Sequence, residues 1–149
     1  MTKVEYLSRA RMLEQQIDLH MRRMDRLRAR MTDIARGWAS QERVASSPKA
    51  EAPFVRTLEC LEEEGEEMAR KVEELVRVSR ETEGVIAAVP VREYQLLLEY
   101  RYLEGKTWSQ AAAEMSVDPS TAKRWHRRAL DMVTLPENEE TVEYSCAGW

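Results

Sequence analysis

The chain has little of what builds sheets, covalent staples or membrane spans. Its 149 residues include only five glycines, five prolines and one phenylalanine. Leu, Met, Arg and Glu abound instead, a bias that favours an all-α protein over one rich in turns and strands. Cys60 and Cys146 are the only cysteines and stand far apart, so no disulfide framework is expected, and a reducing cytoplasm is the expected compartment. No run approaches the roughly 18 apolar residues that suggest a transmembrane helix. The opening MTKVEYLSRARMLEQ has no apolar core of a signal peptide. No glycine-rich phosphate loop, nucleophile–base pairing or metal-spaced cluster occurs in the sequence, so neither catalysis, nor a cofactor, nor a metal is expected.

Positive charge is also in deficit, with a formal net charge of −4. That would argue against nucleic acid if it were spread evenly, and it is not. Residues 1–36 carry nine Lys/Arg against five acids, while residues 51–89 carry five against eleven. After Val133 there are four Glu and no basic residue. A chain acidic overall can still present a basic face, so distribution matters more than the total.

What is present is helical periodicity. A helix is expected over about residues 3–38, with Ala10, Leu13, Ile17, His20, Met24, Leu27, Met31, Ile34 and Trp38 on one seam. The three-four alternation and the narrow stripe are those of a coiled coil. His20 is expected to pack in that seam, since no Cys, Asp or second His stands four residues away to share a metal with it. Residues 39–53 are polar, small and twice interrupted by proline, which marks a connector. A second helix is expected over about 54–88, with Phe54, Leu58, Leu61, Gly65, Met68, Val72, Leu75, Ser79, Thr82, Ile86 and Val89 on its seam. The two should pair as a long antiparallel hairpin over 1–89, with Leu13, Ile17, Leu27, Leu61 and Leu75 buried. Their opposite charges favour that pairing, although exposed ion pairs contribute little each. The run EEEGEE at 62–67 is expected to be a solvated helix face.

Pro90 opens a third region. A proline pushes the residue before it out of the α region, and residues 91–104 then read as an apolar helix ended by Gly105 in a left-handed cap. Next comes TWSQAAAEMSVDPSTAKRWHRR at 107–128. Thr107 and Gln110 have the spacing of a capping box. Asp118 is placed to cap the next helix, whose first position is Pro119, where a missing N–H costs nothing. Ala111, Ala112, Met115, Val117, Ala122 and Trp125 fall where two crossing helices touch. Ser116 stands at the turn position that adopts positive φ. An ordinary helical hairpin shares the apolar spacing, but not the capping box, the Asp-Pro start and the basic run KRWHRR together. The three-helix unit over 90–133 therefore reads as a helix-turn-helix, with residues 134–149 an acidic, disordered tail.

In such a unit the second helix, here 119–132, enters the major groove of double-stranded DNA. The expected DNA-facing residues are Pro119, Ser120, Thr121, Lys123, Arg124 and Arg127, with Arg124 best placed to read a guanine. Lys106, Thr107, Arg127 and Arg128 are expected at phosphates. Trp125 and His126 are expected to pack inward.

The segment from Leu97 to Leu130, with YRYLEGKTWSQAAAEMSVDPSTAKRWHRRAL, resembles region four of bacterial sigma factors. It is still more similar to ArpU-like and RinA-like late-gene regulators of phages and prophages and to short phage proteins of unknown function. KVEYLSRARMLEQQID near the start and a polar connector near position 45 are similar to that family too. RYLEGKTW and the His126, Ala129, Leu130 pattern are its most specific pieces. Ala111, Ala113 and Ser116 depart from it, since the family more often has Ile, Glu and Gly there. The resemblance implies DNA binding and transcription regulation in a bacterial host, with RNA polymerase as a further partner. The heptad seams could equally pair between two chains, which would make a homodimer through the heptad helices. No part of the chain could melt a promoter, so it is not a whole sigma factor. The alternatives are a packaging protein like the small subunit of a phage terminase, or a helical adaptor that binds protein rather than DNA.

Overall fold

A computed structural model describes residues 1–40 and 48–136, with side chains over 1–37 and 52–136. The protein is all-α, and no strand occurs among the described residues. Its elements are α1 (Lys3–Ser40), α2 (Pro48–Ala87), α3 (Arg92–Leu98), which widens into a π-helical turn (Glu99–Leu103), α4 (Trp108–Glu114) and α5 (Pro119–Met132). No helix among the described residues is long and apolar enough to cross a membrane.

The start of α1 is fixed locally. Thr2 and Glu5 form a reciprocal pair, with the Glu5 amide donating to Thr2 Oγ1 at 3.2 Å and the Thr2 amide donating to Glu5 Oε2 at 2.6 Å. That is the capping-box chemistry, and the donation from the Thr2 backbone holds the Glu5 carboxyl below its usual range. α2 starts at Pro48, six residues before the expected position, so residues 48–53 are helical rather than part of a connector. Pro48 stands at the first helical position, where proline is tolerated. Pro53, in the second turn, forfeits one backbone bond but does not end the helix. The rest of the expected connector, 41–47, and the tail beyond Pro136 lie outside the described residues, as does the Trp38 side chain.

The chain divides into two compact units, and the division falls inside α1 and α2 rather than between residues 89 and 90. One unit is Leu13–Leu75, the paired middles of α1 and α2. They run antiparallel: Lys71 Nζ donates to Gln16 Oε1 at 3.1 Å, His20 meets Glu64, and Met24 lies against Gly65. The seam of α1 has the expected phase, but Ile17 and Leu27 are half-buried; among the described residues only Leu13 and His20 are buried along it in this unit. On α2 the expected phase is half wrong. Leu61, Met68 and Leu75 turn inward and are half-buried, whereas Leu58 and Val72 are exposed. The positions one residue earlier in the chain, Thr57, Glu64 and Lys71, take the inward places. A polar residue is tolerated there because a polar partner from α1 meets it, as Gln16 meets Lys71 and His20 meets Glu64.

The other unit is Met1–Met12 with Val76–Trp149. Here the first turns of α1 and the last turns of α2 join α3 to α5 in one core of Tyr6, Leu7, Val85, Ile86, Val89, Leu98, Tyr102, Ala129 and Val133. A second cluster, Leu97 with Ala111, Ala112 and Ala122, lies between α3, α4 and α5, covered by Tyr100, Trp108, Met115, Val117 and Trp125. Lys3 Nζ donates to the Leu130 carbonyl near the end of α5 at 2.7 Å, a cation placed at a helix C-terminus. The unit thus joins α3 to α5 with the first turns of α1 and the last turns of α2.

Candidate nucleic-acid interface

The α4–α5 corner is built from side chains too small to keep the helices apart. Ala111 and Ala122 are fully buried and Ala112 almost so, which permits the close crossing a larger residue would block. α4 begins with the complete capping box, Thr107 Oγ1 accepting from the Gln110 amide at 3.2 Å and Gln110 Oε1 accepting from the Thr107 amide at 3.0 Å. The turn passes through Ser116 at φ 56°, the one non-glycine residue with positive φ among the described residues. That conformation costs a residue with a Cβ some strain. It is held by the Ser116 amide donating to the Ala113 carbonyl and the Val117 amide to the Ala112 carbonyl. Asp118 occupies the N-cap position of α5 with extended backbone but makes no side-chain capping bond. The capping bond expected of Asp118 is therefore not made, and Pro119 stands at the first helical position as expected.

The other side of the corner is pinned by Arg101, which sequence reasoning passed over. Its Nη1 donates to the Lys106 carbonyl at 2.8 Å, and its guanidinium lies 4.3 Å from the centre of the Trp108 ring. It thereby ties the π-helical turn to the loop that enters α4. Gly105, at φ 66°, ends that turn in the left-handed region as expected, and any Cβ there would collide with the Arg11 guanidinium. The Arg101 signal in the sequence was its place in RYLEGKTW, but the stacking on Trp108 has no pattern in one dimension.

Behind α5, His126 fills the space between Tyr102 and Trp108. Tyr102 Oη lies 2.5 Å from His126 Nε2, and the Trp108 ring meets the imidazole edge-on at 4.9 Å. Burial, with a smaller contribution from Arg101, holds the His126 pKa below its ordinary value, and burial pushes the Tyr102 phenol up. Both shifts agree on one arrangement, a neutral phenol donating to a neutral imidazole. Trp125 packs on the same inner side, its ring 6.3 Å from that of Tyr94. Both aromatics are half-buried, so the inward placement expected for them is what the structure has.

The outward face of α5 is of a different kind. Pro119, Ser120, Lys123, Arg124, Arg127 and Arg128 are all exposed, and Thr121 is half-buried. Lys123, Arg124, Arg127 and Arg128 form no ion pair with any described residue. Arg124 Nη2 donates to Thr121 Oγ1 at 3.3 Å, which orients its guanidinium along the helix. Two expected contributors stand apart from this face. Lys106 is bridged to Glu114 at 3.2 Å and Glu104 at 3.3 Å and sits 4.6 Å from the Tyr100 ring centre. The Glu114 and Glu104 partners raise its pKa but also occupy its ammonium. Thr107 is exposed, with its hydroxyl engaged in the cap.

Comparison with family models, with curated proteins and with solved structures finds no match to this chain.

Proposed function

We propose that the protein is a sequence-specific regulator that binds double-stranded DNA, with α5 entering the major groove. The observation that carries this is the exposed face of α5, where four cations lack any described anionic partner on a helix held rigidly from behind. Unpaired cations on a fixed surface are what phosphates require, because each releases condensed counterions when it binds. Arg124 is the base-reading residue, since its guanidinium is preoriented by Thr121 and a planar fork suits guanine O6 and N7. Lys123, Arg127 and Arg128 hold phosphates, and Pro119 and Ser120 come closest to the backbone at the start of the helix. Lys106 contributes least, because Glu104 and Glu114 already neutralise it.

The sequence resemblance to phage and prophage late-gene regulators supports a reading in which this activity serves transcription control, with RNA polymerase as a further proposed partner. A homodimer through the heptad helices belongs to the same proposal. The exposed Val55, Leu58 and Val72 on α2 offer it an apolar surface, and sedimentation of the full chain with and without DNA tests it. A ring of many subunits in that experiment would favour the packaging alternative.

The decisive test is retention of fragments of the encoding genome by the full chain, followed by footprinting. Arg124→Ala should cost about 1–3 kcal/mol at the preferred site and flatten discrimination between sites. Arg128→Ala should weaken binding evenly and lower the salt slope by about one. Identical behaviour of the two variants on specific and random duplexes would refute base reading by α5. Should neither variant alter retention of any DNA at moderate salt, the protein-binding adaptor replaces the regulator.

A further inference from the structure

In the Leu13–Leu75 unit, three side chains with metal-ligating chemistry meet at one level of the helix pair: His20 from α1, and Glu64 and Glu67 from α2. The ligand atoms that each offers all lie within 4.8 Å of one another. We propose that this triad binds a divalent transition ion of the zinc class and that the ion clasps α1 to α2.

The first support is where the imidazole sits. The seam of α1 is otherwise aliphatic through this region, with Ile17 one turn before and Met24 one turn after. His20 occupies an inward position there and is only 5% exposed. An imidazole at such a place is costly unless its ring nitrogens are used. Nδ1 lies 2.5 Å from Glu64 Oε2, and Nε2 is not among the buried atoms left without a partner, so Nδ1 is the nitrogen placed to ligate.

Glu67 is the second support, because a simple histidine–carboxylate pair has no need of it. It stands three residues after Glu64 on the same helix, where like charges repel. It forms no ion pair or hydrogen bond with any described residue. Arg23 has Nη1 4.0 Å from Glu64 Oε1 and is half exposed, so it is a loose neighbour of one carboxylate only. Two carboxylates and an imidazole converging on one point, with one carboxylate otherwise unpartnered, match a divalent cation better than they match one another.

The donor set selects the kind of ion. One nitrogen and two carboxylate oxygens suit Zn²⁺ and its first-row neighbours, whereas Ca²⁺ and Mg²⁺ prefer all-oxygen shells. Ligands bonded at about 2.0–2.2 Å stand closer together than the present spread, and rotation of the two glutamate side chains can close that gap. The exposed flank at Glu67 leaves the remaining coordination position to water. Binding displaces the proton shared between His20 and Glu64, which goes to solvent.

The test uses the full, tag-free chain carrying Cys60→Ser and Cys146→Ser, so that no thiolate competes, stripped with a chelator before use. Zn²⁺ is titrated calorimetrically, Co²⁺ is followed by its visible absorption, and the Tm is recorded with and without metal. One ion per chain with a higher Tm in Zn²⁺ is expected. Glu67→Gln, at an exposed position, should leave the metal-free Tm unchanged or slightly raised. It should weaken Zn²⁺ binding at least about tenfold, the lower end of what even outer-shell partners contribute. His20→Asn should abolish the Co²⁺ spectrum. A parent chain with no heat, no spectrum and no change in Tm up to millimolar Zn²⁺ or Co²⁺ overturns the proposal. So does a Glu67→Gln variant that titrates like its parent.

Discussion

In the unit of Met1–Met12 and Val76–Trp149, sixteen described side chains are buried; in Leu13–Leu75 three are, and two of those, His20 and Thr57, are polar. The same two long helices contribute to both units, so helix propensity does not set them apart. What differs is the number of faces that meet. Where α1 and α2 face only each other, each buries a stripe one seam wide and its flanks stay wet. Where their ends join α3 to α5, Leu7 and Ile86 become fully buried. The contrast shows where the candidate DNA-binding corner gets its rigidity. A three-helix region of about 44 residues has little core to spare, and this one is completed by residues far away in sequence.

Truncating the dense core should therefore have the largest effect. Leu7→Ala, some 100 residues from α5 in sequence, is expected to destabilise the protein by about 2–5 kcal/mol in urea unfolding and to weaken DNA retention by the folded fraction. A cost below about 1 kcal/mol would mean that the helix-turn-helix closes its core without the N-terminus.

Leu27→Ala is the matching change in the thin seam. Leu27 is half-buried, so about 1 kcal/mol is expected, because only part of its apolar surface leaves water. If Leu27→Ala proved as damaging as Leu7→Ala, another chain must cover the seam in solution, and the loss should then deepen with dilution.

The same contrast explains what could be read in one dimension. The corner was legible because its determinants are local: Thr107 with Gln110, Pro119 at a helix start, Gly105 and Ser116 at positions of positive φ. Each acts within a few residues of itself. The α1 seam was legible for the same reason, since its three-four spacing repeats with His20 the only strongly polar seam residue between Ala10 and Ile34. Half of the α2 seam was not, because Glu64 and Lys71 hold inward positions and their polarity is answered by His20 and Gln16 on the other helix. An apolar-pattern count takes the next residue instead, Val72 over Lys71 and likewise Leu58 over Thr57. Pro48 and Pro53 were misleading in another way, since proline breaks a helix interior but is accepted in its opening turns. The support of α5 by Lys3 and the stacking of Arg101 on Trp108 are tertiary facts with no local signature.

The smallest expected effect lies behind α5 and concerns pH. His126 is half-buried against Tyr102 and Trp108, and burial lowers its pKa from the ordinary 6.5. The unfolded chain therefore binds a proton more readily than the folded one. Stability from this residue is fully present above about pH 6.5 and declines as pH falls from there toward the lowered folded value. Below that value it changes no further, since both states are then protonated. The charged groups around it point the same way: Arg101 on the π-helical turn disfavours a second cation, and Arg127 and Arg128 are its neighbours along α5. Protonation would also set the imidazole N–H against the Tyr102 hydroxyl hydrogen, forcing the phenol to turn and accept. The measurement is therefore a difference between parent and variant. The parent and His126→Phe are unfolded in urea at intervals from pH 7.5 to 5.0. The parent should lose more stability over that range than the variant, whose ring keeps the packing and carries no proton. Equal slopes for the two would mean that His126 is as solvated folded as unfolded, and that the back of α5 is looser than its aromatic contacts imply.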